Sequence, residues 1–146
     1  MTKHIIYVDG CFDLFHYGHV KMFQKALEKG NTNSILLVGV MSDEEMVDYK
    51  TSPIMDYEER AFSVESCKYV HKVVENPPMP ITQEFIEENK IDLVIHGDDM
   101  SQEQLRKWYG VAMEMNKFQT TEYTKTISTT NIIERIMDRA FYRIKK

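Results

Sequence analysis

The chain has 146 residues, 42% of them hydrophobic, which is enough for one packed domain and not comfortably for two. Its 18 basic and 23 acidic residues give a net charge of -5, which argues against a general nucleic-acid-binding protein because such proteins carry a basic surface. No apolar run approaches the length of a membrane span, and no signal-peptide core opens the chain. Cys11 and Cys67 lie far apart, which predicts reduced thiols in a cytoplasmic protein. We expect a single domain over residues 1–146.

The first two predicted elements enclose a pair of histidines. The apolar run 4–8 predicts a buried strand, and residues 20–29 have the apolar periodicity of a helix. His16 and His19 therefore lie where a strand gives way to a helix, which in an α/β sheet is the carboxyl edge that binds ligands. A helix begins there with unpaired N–H groups and a positive dipole end, and both suit a phosphate.

The spacing His-x-Gly-His places two imidazoles together at this helix start. Imidazoles can donate hydrogen bonds to phosphate oxygens as negative charge develops on them. Gly10 and Gly18 let the backbone come close to a ligand. The alternatives are ordinary surface histidines or a zinc pair. Zinc requires three or four ligands, and the remaining histidines and the two cysteines show no metal-ligand spacing.

The rest of the chain alternates apolar runs with amphipathic segments. This pattern predicts right-handed crossovers between parallel strands. We expect an α/β, Rossmann-like fold, with about five mostly parallel strands and helices on both faces of the sheet. Strands are expected at 4–8, 34–41, 68–74, 91–96 and 117–122, and helices at 20–29, 43–49, 56–65, 83–89, 101–115 and 130–142.

Several charged residues follow these predicted elements and allow two interpretations. Lys50 is a single charge after a short helix and by itself resembles a solvated lysine, while Arg60 can pair on the surface with Asp56, four residues before it. Asp98 and Asp99 follow the fourth strand. An Asp pair there serves as a turn or a helix cap, or it accepts hydrogen bonds from a nucleoside hydroxyl or amine.

Two hydroxyl residues begin the last predicted helix. Ser128 and Thr129 precede the apolar periodicity of 130–142. Hydroxyl groups and bare N–H groups at a helix start cap the helix, and they also cradle phosphate groups, so the two interpretations are compatible.

Residues 10–19, Gly-Cys-Phe-Asp-Leu-Phe-His-Tyr-Gly-His, resemble the signature of the HxGH nucleotidylyltransferase superfamily. Within it, the chain is most similar to the cytidylyltransferases that act on phosphocholine, phosphoethanolamine and glycerol 3-phosphate, and the resemblance covers nearly the whole chain. It implies the reaction of CTP with a phospho-alcohol to give a CDP-alcohol and pyrophosphate. The phosphate of the substrate would attack the α-phosphate of CTP in line, with Mg²⁺ on the triphosphate and no metal site of the protein's own.

The resemblance also implies roles for individual residues. His16, His19 and Lys50 would be catalytic, acting on the α-phosphate and its transition state. Asp9 and Tyr109 would form the alcohol pocket, although an aromatic residue inside a helix is as readily part of the core. The nucleotide-binding residues would be Gly10, Cys11, Phe12, Gly18, Arg60, Asp98, Lys125, Ser128 and Thr129.

The segment 123–129 departs from the family pattern Arg-Thr-Glu-Gly-Ile-Ser-Thr. Tyr123, Lys125 and Thr126 replace the arginine, glutamate and glycine. An arginine binds phosphate through a bidentate fork that tyrosine cannot reproduce. Lys125 is expected to supply the missing positive charge from two positions away.

The predictions of the substrate and the partners depend on smaller features of the sequence. The segment 96–99, His-Gly-Asp-Asp, favours phosphoethanolamine or phosphocholine, while Met79 stands where choline-type relatives often place an aromatic residue and so counts against a quaternary ammonium. Segment 68–71, Lys-Tyr-Val-His, partly matches the family's Arg-Tyr-Val-Asp dimer contact and predicts a homodimer. The chain ends at 144–146, without the amphipathic helix of some choline enzymes, so no stable membrane binding is expected.

Three alternatives remain at this point. The first is glycerol-3-phosphate cytidylyltransferase activity, which the compact length resembles. The second is transfer of AMP from ATP, because the superfamily uses the same His-x-Gly-His chemistry with both nucleotides. The third is a non-catalytic nucleotide-binding protein, which the altered segment 123–126 permits and the intact His16, His19 and Lys50 oppose.

Overall fold

Five parallel strands form one sheet in a computed structural model that describes residues 2–49 and 52–145, apart from the side chains of 47–49. The strands are β1 (His4–Gly10), β2 (Ser34–Val40), β3 (Lys72–Glu75), β4 (Leu93–Gly97) and β5 (Phe118–Thr121). Their order across the sheet is β3-β2-β1-β4-β5. The predicted Rossmann-like α/β fold is confirmed.

Six helices connect or follow these strands, and side-chain caps explain where they begin. They are α1 (Tyr17–Glu28), α2 (Asp43–Tyr49), α3 (Tyr57–Glu65), α4 (Gln83–Glu88), α5 (Gln102–Glu114) and α6 (Thr129–Lys145) in the described part of the chain. The side chains of Asp56, Thr82 and Ser101 accept hydrogen bonds from the third helical residue of α3, α4 and α5, respectively. These caps satisfy backbone N–H groups that have no partner within the helix.

The helices cover both faces of the sheet, as expected. Side chains alternate along a strand, so Ile6 and Val8 of β1 pack with α1 and α3, whereas Tyr7 packs on the other face with α4 and α5. Two apolar clusters therefore hold the sheet rigidly from both sides.

The order of the strands reverses between β1 and β4. The chain passes outward from β1 through β2 to β3, and then returns to place β4 on the other side of β1. The loops after β1 and β4 consequently diverge to opposite faces and leave a crevice at the carboxyl edge. This crevice lies where the His-x-Gly-His stretch begins α1.

Two of the boundaries that differ from the predicted ones have a local structural cause. The third strand begins at Lys72 instead of residue 68, because the N–H of Val70 donates to the carbonyl of Cys67 and closes a turn. Tyr69 and Val70 pack on the core from this turn, which explains their apolar signal. Helix α1 begins at Tyr17, earlier than predicted, because the residue before it is a cap.

Two further expectations concern cysteines and membranes. Cys11 and Cys67 are thiols and do not form a disulfide. Within residues 2–49 and 52–145, no helix combines the length and the apolar character needed to cross a bilayer.

Candidate active site

A cavity of about 430 Å³ opens at the carboxyl edge of the sheet, where β1 and β4 end. Its wall includes the loop after β1, the start of α1, segment 52–54, part of α5 and the chain that leads into α6. Many of the residues predicted for the site meet here. Those that line the cavity are Asp9, Gly10, Cys11, Phe12, His16, Gly18, His19, Tyr109 and Thr129.

The two histidines of the His-x-Gly-His stretch form a reciprocal cap at the start of α1. Nδ1 of His16 accepts from the N–H of Gly18 at 3.0 Å, and Nδ1 of His19 accepts from the N–H of His16 at 3.1 Å. This is the geometry of a capping box, made here by two imidazoles. Because each Nδ1 accepts a hydrogen bond, the proton of each neutral ring is on Nε2.

Aromatic packing fixes the ring of His19. The His16 ring stacks on it with centroids 3.8 Å apart, Phe15 stacks at 5.6 Å, and the Phe12 ring meets it edge-on at 5.4 Å. Burial, with the His16 charge as a smaller cause, lowers the pKa of His19 to about 3. Burial also lowers the pKa of His16. Near neutral pH, the site therefore offers two uncharged N–H donors in fixed orientations.

Asp13 ties the histidine loop to two distant parts of the chain. Its buried carboxylate accepts from the N–H groups of Ile54 at 2.8 Å and Met55 at 2.9 Å, and from Leu14 at 3.1 Å. Its carbonyl accepts from the Thr129 hydroxyl at 3.0 Å. Asp13 lines the cavity although no role was predicted for it. In the sequence, Asp13 stands out only because it is a charged residue in an otherwise apolar part of the motif.

Arg60 is fully buried, so its predicted surface pairing with Asp56 is wrong. Asp56 caps α3 instead. The guanidinium of Arg60 pairs with the Asp43 carboxylate and donates to three backbone carbonyls, those of Cys11, Met41 and Met55. Arg60 does not line the cavity; it supports the loops that do.

A second cluster of polar groups lies at the bottom of the cavity. The carboxylate of Asp9 accepts from the hydroxyl groups of Tyr109 and Tyr7, the latter at 3.4 Å. Burial is the main influence on this group and raises the pKa of Asp9, while both hydroxyls oppose the rise. Nδ1 of His96 lies 2.8 Å from the carbonyl of Gly97. A carbonyl only accepts, so Nδ1 carries the proton and Nε2 of the neutral ring is an acceptor.

The start of α6 lies against the histidine loop and forms part of the cavity wall. The Ser128 hydroxyl accepts from the N–H of Asn131 and caps the helix. Ile127 packs so close to α1 that a Cβ at Gly18 would lie 3.2 Å from its Cγ2 and 2.9 Å from Cε1 of His16. The glycine of the motif therefore serves this close approach.

Four predicted residues do not reach the cavity wall in the described structure. Asp98 is exposed and accepts from the N–H of Tyr123 at 2.9 Å, while the neighbouring Asp99 lines the cavity. Lys125 is exposed. The remaining two are Arg60 and Ser128. Sequence spacing could not distinguish Asp98 from Asp99, because both follow β4 directly.

The predicted catalytic Lys50 lies outside the described residues. Met46 before it and Ser52 after it both line the cavity. Among the described residues of the wall, carboxylates and histidines are present but no lysine or arginine is. The described chain also brings no three His, Cys, Asp or Glu side chains together in a way that would hold a metal ion.

Comparison with known proteins assigns this arrangement to a family. Residues 7–135 match the family model of cytidylyltransferase-like proteins. The chain belongs to this family. Among its relatives, ethanolamine-phosphate cytidylyltransferase of Dictyostelium discoideum is 37% identical over 133 residues, and human choline-phosphate cytidylyltransferase A is 40% identical over 133 residues. Each match covers 90% of this chain and 36% of the relative, so this cytidylyltransferase-like chain spans about a third of their length.

A solved structure supports the same fold. The lipopolysaccharide core biosynthesis protein from Thermoplasma volcanium superposes with a TM-score of 0.68 at 18% identity, over 86% of this chain and 100% of that one. The fold of this chain is thus a known architecture. The resemblance to the cytidylyltransferases inferred from residues 10–19 is confirmed.

Proposed function

We propose that the chain transfers CMP from CTP to a phospho-alcohol, giving a CDP-alcohol and pyrophosphate. The observation that carries this proposal is the reciprocal cap of His16 and His19, which fixes two neutral Nε2–H donors at the cavity wall. Donors that are oriented before the reaction stabilise charge that develops on phosphate oxygens without any cost of reorganisation in the transition state. The family and the two relatives named above support the same reaction.

In the proposed reaction, an oxygen of the phospho-alcohol's phosphate attacks the α-phosphorus of CTP. A new P–O bond forms there, and the bond from the α-phosphorus to the bridging oxygen of pyrophosphate breaks in line with it. His16 and His19 would donate to the α-phosphate oxygens. Lys50 is proposed to neutralise the same phosphate, a role that the cavity-lining position of Met46 and Ser52 supports.

The nucleotide would bring its own metal ion. The described residues contain no cluster of three metal ligands, and the carboxylate of Asp13 is already used by backbone N–H groups. We therefore propose that Mg²⁺ enters as Mg·CTP, held by the phosphates, and that this chain's residues act on the phosphates directly. Thr129 and the N–H groups at the start of α6 are the proposed contacts of the outer phosphates.

Phosphoethanolamine is the proposed alcohol substrate. The Asp9 carboxylate and Nε2 of His96 are both acceptors, and both residues line the same cavity. A primary ammonium has three N–H groups to donate to such acceptors, whereas a trimethylated nitrogen has none. The neighbouring Met79 also lines the cavity and is a weaker partner for a quaternary ammonium than an aromatic ring.

Phosphocholine is the second candidate, because Trp108 and Tyr109 line the cavity beside Asp9. Aromatic faces next to a carboxylate are the usual surroundings of a quaternary ammonium. The two candidates differ in whether hydrogen-bond acceptors or aromatic faces dominate the recognition of the nitrogen.

The test is pyrophosphate release from Mg·CTP with phosphoethanolamine, phosphocholine or glycerol 3-phosphate as acceptor, and from Mg·ATP in parallel. We expect the highest kcat/KM with CTP and phosphoethanolamine. His16→Asn keeps a capping oxygen but removes the Nε2–H donor, so we expect kcat to fall by about 10²- to 10³-fold. His71→Asn, on the exposed turn before β3, is the matched control and should leave kcat unchanged.

Three other outcomes of this assay would point to a different substrate, a different nucleotide or a binding role without catalysis. Preference for phosphocholine would favour the aromatic faces as the main recognition element. Faster turnover with ATP would indicate the adenylyltransferase alternative. Tight CTP binding with no pyrophosphate from any acceptor would indicate a binding protein and would contradict the proposed reaction.

A further inference from the structure

Lys25 of α1 lies on the face of the helix that forms part of the cavity wall. Gly18, Met22 and Lys25 follow one another at intervals of four and three residues, which places them on one face of the helix. Gly18 and Met22 line the cavity. Lys25 is half-buried and is the next residue along this face. It therefore extends the cavity-facing surface of α1 by one turn.

The ammonium of Lys25 contacts the segment 122–127, which leads from β5 towards α6. Its Nζ donates to the carbonyl of Glu122 at 3.1 Å and lies 3.5 Å from the hydroxyl oxygen of Thr124. Both of these residues line the cavity. At the other end of the segment, Ile127 packs closely on the start of the same helix. The segment therefore lies along one face of α1, from Lys25 back to the beginning of the helix.

Positive charge is scarce in the described part of the cavity wall. Tyr123 stands where the family pattern has an arginine, and Lys125 is exposed and does not line the cavity. The described wall carries carboxylates, among them those of Asp99 and Glu122, but no lysine or arginine. Mg²⁺ neutralises only part of the charge of a triphosphate, so a wall of this kind repels the nucleotide unless a cation lies close to it. The ammonium of Lys25, one hydrogen bond from the wall, is such a cation.

The contact with Lys25 also sets the direction of the Thr124 hydroxyl. An ammonium only donates, so the oxygen of Thr124 accepts, and the hydroxyl proton points away from Nζ of Lys25. A hydroxyl that accepts from a cation becomes a stronger donor itself. The segment is held by a second contact, because the carboxylate of Asp98 accepts from the N–H of Tyr123 at 2.9 Å. Thr124 is therefore an oriented donor in the wall of the cavity.

We propose that Lys25 positions the Thr124 hydroxyl to donate to the β- and γ-phosphates of the bound nucleotide and places a positive charge beside them. This inference rests on the proposed function and names a further residue for the same site. Lys25 is a positioning residue, because it acts on the phosphates through Thr124 and no bond to phosphorus forms or breaks at it. CMP has neither of these two phosphates. Lys25 therefore helps the site to distinguish a triphosphate from a monophosphate of the same nucleoside.

The test compares the binding of Mg·CTP and of CMP to variants of the whole chain by isothermal titration calorimetry. Lys25→Met keeps the length and helix propensity of the side chain but removes its charge and its donors. We expect the Kd for Mg·CTP to rise by roughly tenfold and the Kd for CMP to change by less than about twofold. Lys25→Arg keeps a positive charge and should bind Mg·CTP within about threefold of the wild type.

Lys29→Met is the matched control. It removes the same charge four residues further along, at the exposed C-cap of α1, and should bind both nucleotides like the wild type. Steady-state kinetics give a second measurement. A contact with the outer phosphates is made before the reaction as well as during it, so Lys25→Met should raise the KM for CTP and leave kcat within about twofold of the wild type.

A double-mutant cycle tests the route through Thr124. Thr124→Val removes the hydroxyl, keeps the shape of the side chain and should also weaken the binding of Mg·CTP. Since Lys25 is proposed to act through this hydroxyl, the loss in the double variant should be clearly smaller than the product of the two single losses. Losses that multiply in full would overturn the proposed action through Thr124.

The remaining outcomes separate the role of Lys25 from the proposed reaction. A Lys25→Met variant that binds Mg·CTP as tightly as the wild type, or that loses affinity for CMP and Mg·CTP equally, would overturn the role of Lys25 and leave the transfer of CMP unaffected. The expected dependence on Lys25 without any release of pyrophosphate would contradict the proposed reaction alone. A wild type that binds Mg·CTP and Mg·ATP no more tightly than CMP and AMP would overturn both.

Discussion

The two walls of the cavity are built in opposite ways. In the amino-terminal wall, residues 9–19, the carboxylates of Asp9 and Asp13 are buried and both histidine rings are held by backbone N–H groups. In the carboxyl-terminal wall, residues 122–133, no residue is buried. A few hydrogen bonds hold it, among them the one from the Thr129 hydroxyl to the carbonyl of Asp13.

Under the proposed function, this difference separates two kinds of phosphate recognition. A group that acts on a reacting phosphate must keep its geometry, so its orientation is fixed by bonds that other parts of the protein supply. A group that only adds positive charge near a phosphate can act from an exposed position. The departures from the family pattern, Tyr123, Lys125 and Thr126, all fall in the exposed wall, where the fold does not depend on them.

The largest expected effect concerns the support of the amino-terminal wall. Arg60→Ala would leave one buried and two partly buried carbonyl groups, and the Asp43 carboxylate, without their partner. We expect the free energy of unfolding to fall by about 3 kcal/mol or more in urea titrations. Arg135→Ala, on the exposed part of α6, is the control and should change it by less than about 0.5 kcal/mol. Equal effects at the two positions would show that Arg60 does not support the loops of the amino-terminal wall.

The second prediction uses the pKa of His19, which burial lowers to about 3 from an ordinary value of 6.5. Between these values the unfolded chain binds a proton that the folded chain does not, so stability falls as the pH falls. We expect the wild type to lose about 2 kcal/mol more than His19→Gln between pH 7 and pH 5. Glutamine is a usual partner in a capping box and cannot titrate. If the free energies of unfolding of the two proteins changed equally with pH, His19 would not be protected from protonation.

The third prediction concerns the link from Asp13 to the segment after Lys50. An asparagine has one acceptor oxygen for the three N–H groups that the carboxylate serves, so Asp13→Asn should cost about 1 to 2 kcal/mol of stability. Amide exchange at Ile54 and Met55 should accelerate. Asp92→Asn makes the same change at a carboxylate that accepts from the N–H of Ile5, at the opposite edge of the sheet, and should leave exchange at those two amides unchanged.

The smallest effect is expected in the carboxyl-terminal wall and rests on the proposed function. Lys125 is exposed, and an exposed charge contributes up to about 1 kcal/mol, so Lys125→Ala should raise the KM for CTP by no more than about fivefold and leave kcat unchanged. Steady-state kinetics measure both constants. A fall in kcat comparable to that of His16→Asn would place Lys125 in the reacting geometry and break the contrast between the walls.

Local sequence signals predicted much of this structure. The alternation of apolar and amphipathic segments gave the parallel sheet with helices on both faces, because burial on a strand or helix follows a short period. The His-x-Gly-His spacing placed both imidazoles at the start of α1, since capping involves residues only two or three positions apart. The third strand was predicted too long because an apolar turn and an apolar strand look alike in sequence.

Other features depended on contacts between residues that are distant in the sequence. Arg60 has the composition of a surface residue, and only the approach of the Cys11 and Met41 carbonyls and the Asp43 carboxylate makes its burial favourable. Asp13 reaches Ile54 and Met55, 41 and 42 positions away, and such partners have no signature in the residues around it. The sequence by itself therefore determined the elements and the position of the site at the carboxyl edge. The tertiary structure decided which polar groups are buried and which way each one points, because a buried polar group is stable only where the folded chain brings it a partner.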